Sequence, residues 1–172
     1  MRFLSTQIRL ALAALVVLLA CASAHSEEVY LAPEAFLAQA FDGSAPKAST
    51  LWLTSPVQAE ATRILGHPPR QLRQRYWLSG DKSAWILEEI GKEEFITAGF
   101  VVRGGRMDHA RVLVYRESRG GEVRYPAFLK QFLGVTLTGE QQLSARIDNI
   151  AGATLSVSSM SRMARLALYF DA

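Results

Sequence analysis

One segment of the chain brings together an acid, a turn of small residues and two hydroxyl groups. It runs from Asp148 to Ser156 as Asp-Asn-Ile-Ala-Gly-Ala-Thr-Leu-Ser, directly before a stretch with helical periodicity. A helix beginning near Thr154 would place unpaired backbone amides and the positive end of its dipole beside that hydroxyl. Such a position stabilises a phosphate group. Gly152 and Ala153 would let a bulky group approach the backbone closely.

The helix after this segment is indicated by apolar residues at intervals of three and four. They form one stripe, with Arg162 and Arg165 off it. The stripe consists of Val157, Met160, Met163, Ala164, Ala167 and Leu168. A simpler interpretation is that Thr154 or Ser156 only caps this helix, because Ser and Thr are common N-caps. Local physics alone favours the cap.

The segment also resembles a known motif, the Asp-x-x-Ser-Gly-Ala-Thr-x-Ser sequence of the FMN-binding domain family. That family includes flavin subunits of the sodium-pumping NADH:quinone reductase and of Rnf-type complexes. There the motif Thr carries FMN through a phosphodiester bond, made by a flavin transferase that uses FAD as donor and recognises the upstream Asp. The resemblance implies that Thr154 is the FMN acceptor and that Asp148 is part of the transferase signal. The other cofactor-binding residues implied by the motif are Gly152, Ala153, Leu155 and Ser156.

This chain departs from the motif at two positions, with Ala151 in place of the usual Ser and Asn149 where Gly is frequent. Neither change removes the acceptor hydroxyl.

The resemblance extends with decreasing clarity from about Trp85 to Ala172 and includes a second loop. Residues 115–120, Tyr-Arg-Glu-Ser-Arg-Gly, fall where quinone-reductase members carry a His-x-Glu-Thr-Pro-Gly loop close to the flavin. The resemblance implies that Glu117 and Ser118 hydrogen-bond the flavin ring or its ribityl chain and tune its potential. A solvated turn after a strand is an equally good interpretation of this loop.

The N-terminus has the pattern of a secretory signal peptide, which we predict for residues 1–24. Two arginines precede an uncharged apolar run, and small residues follow it. The run is too short to span a bilayer comfortably as a permanent helix. Cleavage after Ala24 fits the small-x-small rule, whereas Leu-Leu-Ala-Cys ending at Cys21 resembles a bacterial lipobox and would give a lipid-anchored protein. The sequence thus predicts an exported, periplasmic or extracytoplasmic protein, with residues 28–172 as one FMN-binding domain.

Cysteine content, charge and spacing argue against several other classes of protein. Cys21 is the only cysteine, so the domain has no internal disulfide and no Cys-based metal or iron–sulfur site. The formal charge is +3, from 19 basic and 16 acidic side chains. The leader contains two arginines and no acid, so the exported part carries 17 − 16 = +1 and gives no indication of a nucleic-acid partner.

The remaining titratable residues do not form a recognisable catalytic set. His67 and His109 lack the spacing of a metal pair. Glu88 and Glu89 are adjacent, a pattern typical of a solvated rim rather than of a hydrolytic pair. The sequence also lacks a Gly-x-Ser-x-Gly elbow, a phosphate-binding loop and a dinucleotide fingerprint.

The elements that must position these residues follow from periodicity and turn signals. Helices are predicted at 33–41, 55–65 and 126–133, and a strand at 49–54. An antiparallel meander is predicted from strands at 72–78, 84–90, 95–102 and 107–115. Trp77 and Trp85 flank the Gly80-Asp81 turn and predict a cross-strand aromatic cluster. The fold class is therefore α+β, a mainly antiparallel sheet flanked by helices, with a C-terminal amphipathic helix after the attachment motif.

We therefore expect an exported flavoprotein that binds FMN covalently through Thr154 and relays electrons outside the cytoplasm. Its expected partners are a flavin transferase and extracytoplasmic or membrane redox proteins. An electron-transfer protein is favoured over a self-sufficient enzyme, because no independent catalytic constellation is present. Two alternatives stay open: an envelope binding or structural protein with no redox flavin, and a domain that reduces a small substrate directly.

Overall fold

The computed structural model describes residues 27–172, which form a six-stranded antiparallel sheet flanked by helices. The predicted signal peptide and the cysteine at position 21 lie outside the described residues. The strands are β1 (Glu28–Val29), β2 (Ser49–Trp52), β3 (Arg73–Ser79), β4 (Lys82–Ile90), β5 (Phe95–Arg103) and β6 (Arg106–Tyr115). The helices are α1 (Pro33–Ala40), α2 (Ser55–Leu65), α3 (Pro126–Leu129) and α4 (Thr154–Asp171). The α+β class predicted from the sequence is confirmed.

Sequence signals explain where the helices begin and end. α1, α2 and α3 each carry a proline in the first turn, where a missing backbone N–H costs no helical hydrogen bond. α2 ends at Gly66, which adopts the left-handed conformation of a C-cap. The third predicted helix is shorter than expected, because α3 gives way to a 3₁₀ turn at Lys130–Phe132. None of the helices within residues 27–172 is long and apolar enough to cross a membrane.

The sheet has the strand order β1-β6-β5-β4-β3-β2, with every neighbouring pair antiparallel. β3 to β6 form the meander predicted from the sequence, with strand ends that shift by one or two residues. β1 was not predicted, since two residues are too few to show an alternating pattern. It adds an edge to the sheet by pairing with the end of β6.

Helices cover the two faces of the sheet unequally. α4 and α2 pack on one face and form the larger core, whereas α1 forms a smaller core on the other face through Phe36, Leu37 and Phe41. All six residues of the predicted apolar stripe of α4 are buried, so that prediction is confirmed. The long helix that begins at Thr154 is therefore fixed to the sheet along its length.

Two predictions about β3 and β4 are wrong. Trp77 and Trp85 do not cluster, because Trp77 lies opposite Ala84 and so points to the α1 face. Trp85 instead stacks on Tyr76, its direct cross-strand partner, with ring centroids 4.9 Å apart. Glu89 is not on a solvated rim, since only 2% of its surface is exposed.

Charge pairing explains the burial of Glu89. Its Oε1 accepts hydrogen bonds from Arg162 of α4 at 3.0 Å and from the ring of His67 at 2.9 Å. A buried carboxylate needs such partners, because an unpaired buried charge is strongly unfavourable.

Candidate functional site

Thr154 is the first residue of the 18-residue helix α4. The N-cap position is Ala153, and no side chain caps the helix there. The first backbone bond of the helix runs from the N–H of Val157 to the carbonyl of Ala153, at 2.9 Å. The N–H groups of residues 154–156 have no acceptor within the described part of the chain. The simple capping interpretation is therefore wrong, and the helix start presents free donors of the kind that bind phosphate.

The side chain of Thr154 is exposed to solvent. Its hydroxyl oxygen accepts a hydrogen bond from the side-chain amide of Asn149 at 2.9 Å. Gly152, two residues earlier, has a φ of 84° and no atom within 4 Å of the position that a Cβ would take. Bulky groups thus have open space on this side of the turn. Asn149, which departs from the family motif, orients the hydroxyl rather than blocking it.

Asp148 is exposed, and the structure holds it through its backbone rather than its side chain. Its N–H donates to the side-chain oxygen of Gln131 at 2.7 Å. Its carboxylate makes no hydrogen bond or ion pair within residues 27–172. An acidic group is thus presented to solvent six residues before the hydroxyl of Thr154.

Ser156 is buried and ties the start of α4 to the 115–120 loop. The Tyr115 hydroxyl donates to the carbonyl of Arg119 at 2.5 Å and lies 2.9 Å from Ser156 Oγ. Because a phenol has one proton, Ser156 is the donor in the second bond. Burial raises the pKa of Tyr115, which keeps the phenol protonated. Gly120 allows this contact, since it has a φ of 84° and a Cβ there would lie 2.7 Å from Ser156 Oγ.

The carboxylate of Glu117 holds the turn between β4 and β5. Its Oε1 accepts the backbone N–H groups of Glu93 at 2.7 Å and Glu94 at 3.1 Å, and also that of Lys92. This oxygen therefore has a structural role in the protein. Ser118 is exposed and makes no hydrogen bond within the described residues.

A cavity of about 400 Å³ lies between this loop and the turn at Ala151 and Gly152. That volume falls in the lower part of the range typical of ligand sites, about 300–1,000 Å³. Of the residues predicted to bind flavin, Glu117, Ser118 and Gly152 line the cavity. Thr154 is not in its lining but follows Gly152 by two residues. Ala153, Leu155, Ser156 and Asp148 also lie outside the lining.

The cavity also contains a set of contacts around Arg124 that was not predicted from the sequence. The guanidinium carbon of Arg124 lies 4.6 Å from the ring centroid of Tyr30 and 5.1 Å from that of Tyr125. Arg124 also donates to the Tyr30 hydroxyl at 2.6 Å, and that hydroxyl donates to the carboxylate of Glu28. Burial, followed by the hydrogen bond to Glu28, raises the pKa of Tyr30 to about 12.

A larger cleft of about 1,190 Å³ lies elsewhere. It reaches the α1 face and the ends of β3 and β4 that are distant from the turn joining them. It contains none of the residues of the attachment motif and none of the 117–125 loop. Residues 27–172 also hold no group of three or more His, Asp or Glu side chains placed to bind a metal ion. The chemistry indicated by the motif therefore concerns the smaller cavity.

No protein-family model matches the chain, and no curated protein matches it. The resemblance to FMN-binding domains therefore depends on the motif residues themselves.

Proposed function

We propose that this protein is an exported flavoprotein that carries FMN on Thr154 and relays electrons between redox proteins outside the cytoplasm. One observation carries the proposal: an exposed threonine hydroxyl stands at the start of a long helix whose first amides have no acceptor. The first amides of any helix lack intrahelical acceptors, so the specific feature is the exposed threonine beside them, which does not cap the helix. A covalently held phosphate would use both, because it needs an accessible acceptor and donors for its oxygens.

The residues around Thr154 fit a phosphodiester-linked flavin. The N–H groups of residues 154–156 and the positive end of the α4 dipole would stabilise the phosphate charge. Gly152 leaves open space toward the adjoining cavity, where Ser118 and Glu117 offer polar atoms. When bound, FMN would supply the redox chemistry, and the protein would hold it, expose it and set its potential.

Attachment would be a group transfer from FAD, made by a flavin transferase. In that step Thr154 Oγ1 forms a bond to the phosphorus of the FMN half, the diphosphate bond breaks, AMP leaves, and the hydroxyl proton is released. The exposed carboxylate of Asp148 is available to an enzyme that recognises the motif. A covalent link suits an exported carrier, because a free cofactor would be lost by dilution.

Mass spectrometry of protein co-expressed with a flavin transferase tests the proposal. The tryptic peptide 147–162 should gain one FMN as a phosphodiester, and fragmentation should localise it to Thr154. Thr154→Ala should abolish the adduct, whereas Ser158→Ala, which removes an exposed hydroxyl of the same helix, should not. Asp148→Ala should lower the yield of adduct if this carboxylate is a recognition element.

An unmodified Thr154 would contradict the proposal if the same cells flavinylate a known family member. A folded protein without flavin would then favour the envelope binding or structural role. Electron transfer is tested separately, by reduction and reoxidation of the flavin with extracytoplasmic redox proteins. Equal activity of wild type and of the flavin-free Thr154→Ala variant would exclude the flavin as the carrier.

A further inference from the structure

Arg124 is held in the cavity by two aromatic rings, one hydrogen bond and one weak ion pair. Its guanidinium lies against the rings of Tyr30 and Tyr125, and a Cβ at Gly121 would lie 2.9 Å from its NH1 atom. Its side chain is 36% exposed, and its ionic partner Glu28 is 3.9 Å away and 61% exposed. Partly exposed contacts of this kind contribute little to stability. The guanidinium is nevertheless held in one place.

The donors of Arg124 are largely unused. Within the described residues, its only hydrogen-bond acceptor is the Tyr30 hydroxyl, which engages NH1. A guanidinium carries five N–H donors in a planar fork and stays charged at all physiological pH values. The cavity lining therefore includes a permanent cation with free donors, together with the carboxylates of Glu28, Glu117 and Glu122, beside the turn that leads to Thr154.

A flavin ring placed in this cavity would meet that cation when it is reduced. Uptake of two electrons and one proton leaves a net negative charge, centred on the N1–C2=O edge of the isoalloxazine. Charge near this edge is one of the means by which proteins tune flavin potential. A guanidinium matches it well, because it can donate two parallel hydrogen bonds to adjacent acceptors.

We propose that Arg124 binds the N1–C2=O edge of the flavin and raises its reduction potential by stabilising the reduced anion. The inference rests on the proposed function and deepens it. Tyr30 and Tyr125 are then positioning residues that hold the guanidinium in place. The 148–156 motif includes none of these three side chains.

Redox titration of the flavinylated protein with dithionite tests this inference. Arg124→Gln should keep the adduct on Thr154 but favour the oxidised flavin by about tenfold, equivalent to a midpoint potential about 30 mV lower for a two-electron couple. Arg124→Lys keeps the charge without the planar fork and should give a smaller shift. Arg103→Gln is the matched control, since Arg103 ends β5 and lines a different cavity. A shift for Arg124→Gln no larger than for this control overturns the inference.

A second measurement uses free riboflavin, which has the ring but no phosphate. Thr154→Ala protein should bind riboflavin, with quenching of flavin fluorescence, and the added Arg124→Gln change should weaken binding of reduced riboflavin about tenfold. If wild-type protein gains no adduct, the proposed function fails, and this measurement still decides whether Arg124 contacts a ring. The inference is overturned if Arg124→Gln leaves the affinity for reduced riboflavin unchanged. It is also overturned if Arg124→Gln weakens the binding of FMN alone, since Arg124 would then contact the phosphate.

Discussion

Replacing Gly120 by alanine should damage the site far more than the same change at Gly134. Both glycines have a left-handed backbone, with φ values of 84° and 75°. A Cβ at Gly134 would meet no atom within 4 Å. At Gly120 it would lie 2.7 Å from Ser156 Oγ and 2.9 Å from the Tyr115 hydroxyl. Comparing Gly120→Ala with Gly134→Ala therefore separates the cost of backbone strain from the cost of losing the Tyr115–Ser156 contact.

The expected magnitudes follow from these distances. A residue with a Cβ in the left-handed region costs about 1–2 kcal/mol, which is the whole effect expected for Gly134→Ala. Gly120→Ala must also force apart two buried hydroxyl groups, and a buried group left without its hydrogen bond costs about 1–3 kcal/mol more. The free energy of unfolding should fall by about 2–5 kcal/mol in total.

Urea denaturation measures both losses, and mass spectrometry measures the flavinylation yield of each variant. Gly120→Ala should lower that yield, because Ser156 is in the first turn of the helix that begins at the acceptor Thr154. Gly134→Ala should leave the yield unchanged. Combining Gly120→Ala with Ser156→Ala should show a coupling of about 0.5–3 kcal/mol, as expected for residues in contact. Equal destabilisation by the two alanines would refute the claim that the Tyr115–Ser156 contact requires glycine at position 120.

Three further changes test other contacts. Thr154→Ala should reduce the free energy of unfolding by less than about 0.5 kcal/mol, which is below the usual loss of a helix cap. The reason is that Thr154 does not cap α4. A loss above about 1 kcal/mol in urea denaturation would contradict this. Glu117→Ala leaves three backbone donors of the β4–β5 turn without their acceptor and should cost about 1–3 kcal/mol, with faster hydrogen exchange at residues 92–94. His67→Gln should destabilise the protein most below about pH 6.5, because the hydrogen bond to Glu89 raises the pKa of His67. The stability that this bond contributes is lost as pH rises through the raised pKa. Denaturation should therefore show a larger effect of the substitution at about pH 5 than at about pH 9.

The sequence predicts well those features that depend on neighbouring positions in the chain. The stripe of α4 and the strands of the meander follow from periods of 3.6 and 2 residues, which local side-chain patterns reveal. The start of α4 at Thr154 was also placed correctly. The predicted capping role of Thr154 or Ser156 is wrong, because these hydroxyl groups bond to residues outside the first turn. Ser156 bonds to Tyr115, and Thr154 bonds to Asn149.

Contacts between distant segments could not be predicted in the same way. Arg124 meets Tyr30 across 94 positions, and Tyr115 meets Ser156 across 41. The first contact depends on the register of β1 against β6, and the second on the packing of α4 against the end of β6; local patterns determine neither. Trp77 shows the same limit, because an offset of one position relative to Trp85 in the hairpin sends its side chain to the opposite face of the sheet.

The positions of these contacts are compatible with the proposed covalent carrier. Glu117 fixes the turn after β4, and Tyr115, at the end of β6, fixes the start of α4. Both come from the segment that also lines the cavity, so the loop and the helix start are attached to the same sheet. Thr154 itself stays exposed, as the proposed attachment by a transferase requires. If FMN is attached as proposed, a rigid surround with an accessible acceptor would allow a transferase to reach Thr154. The protein would then hold the flavin ring in a constant electrostatic environment, which is the condition for a defined reduction potential.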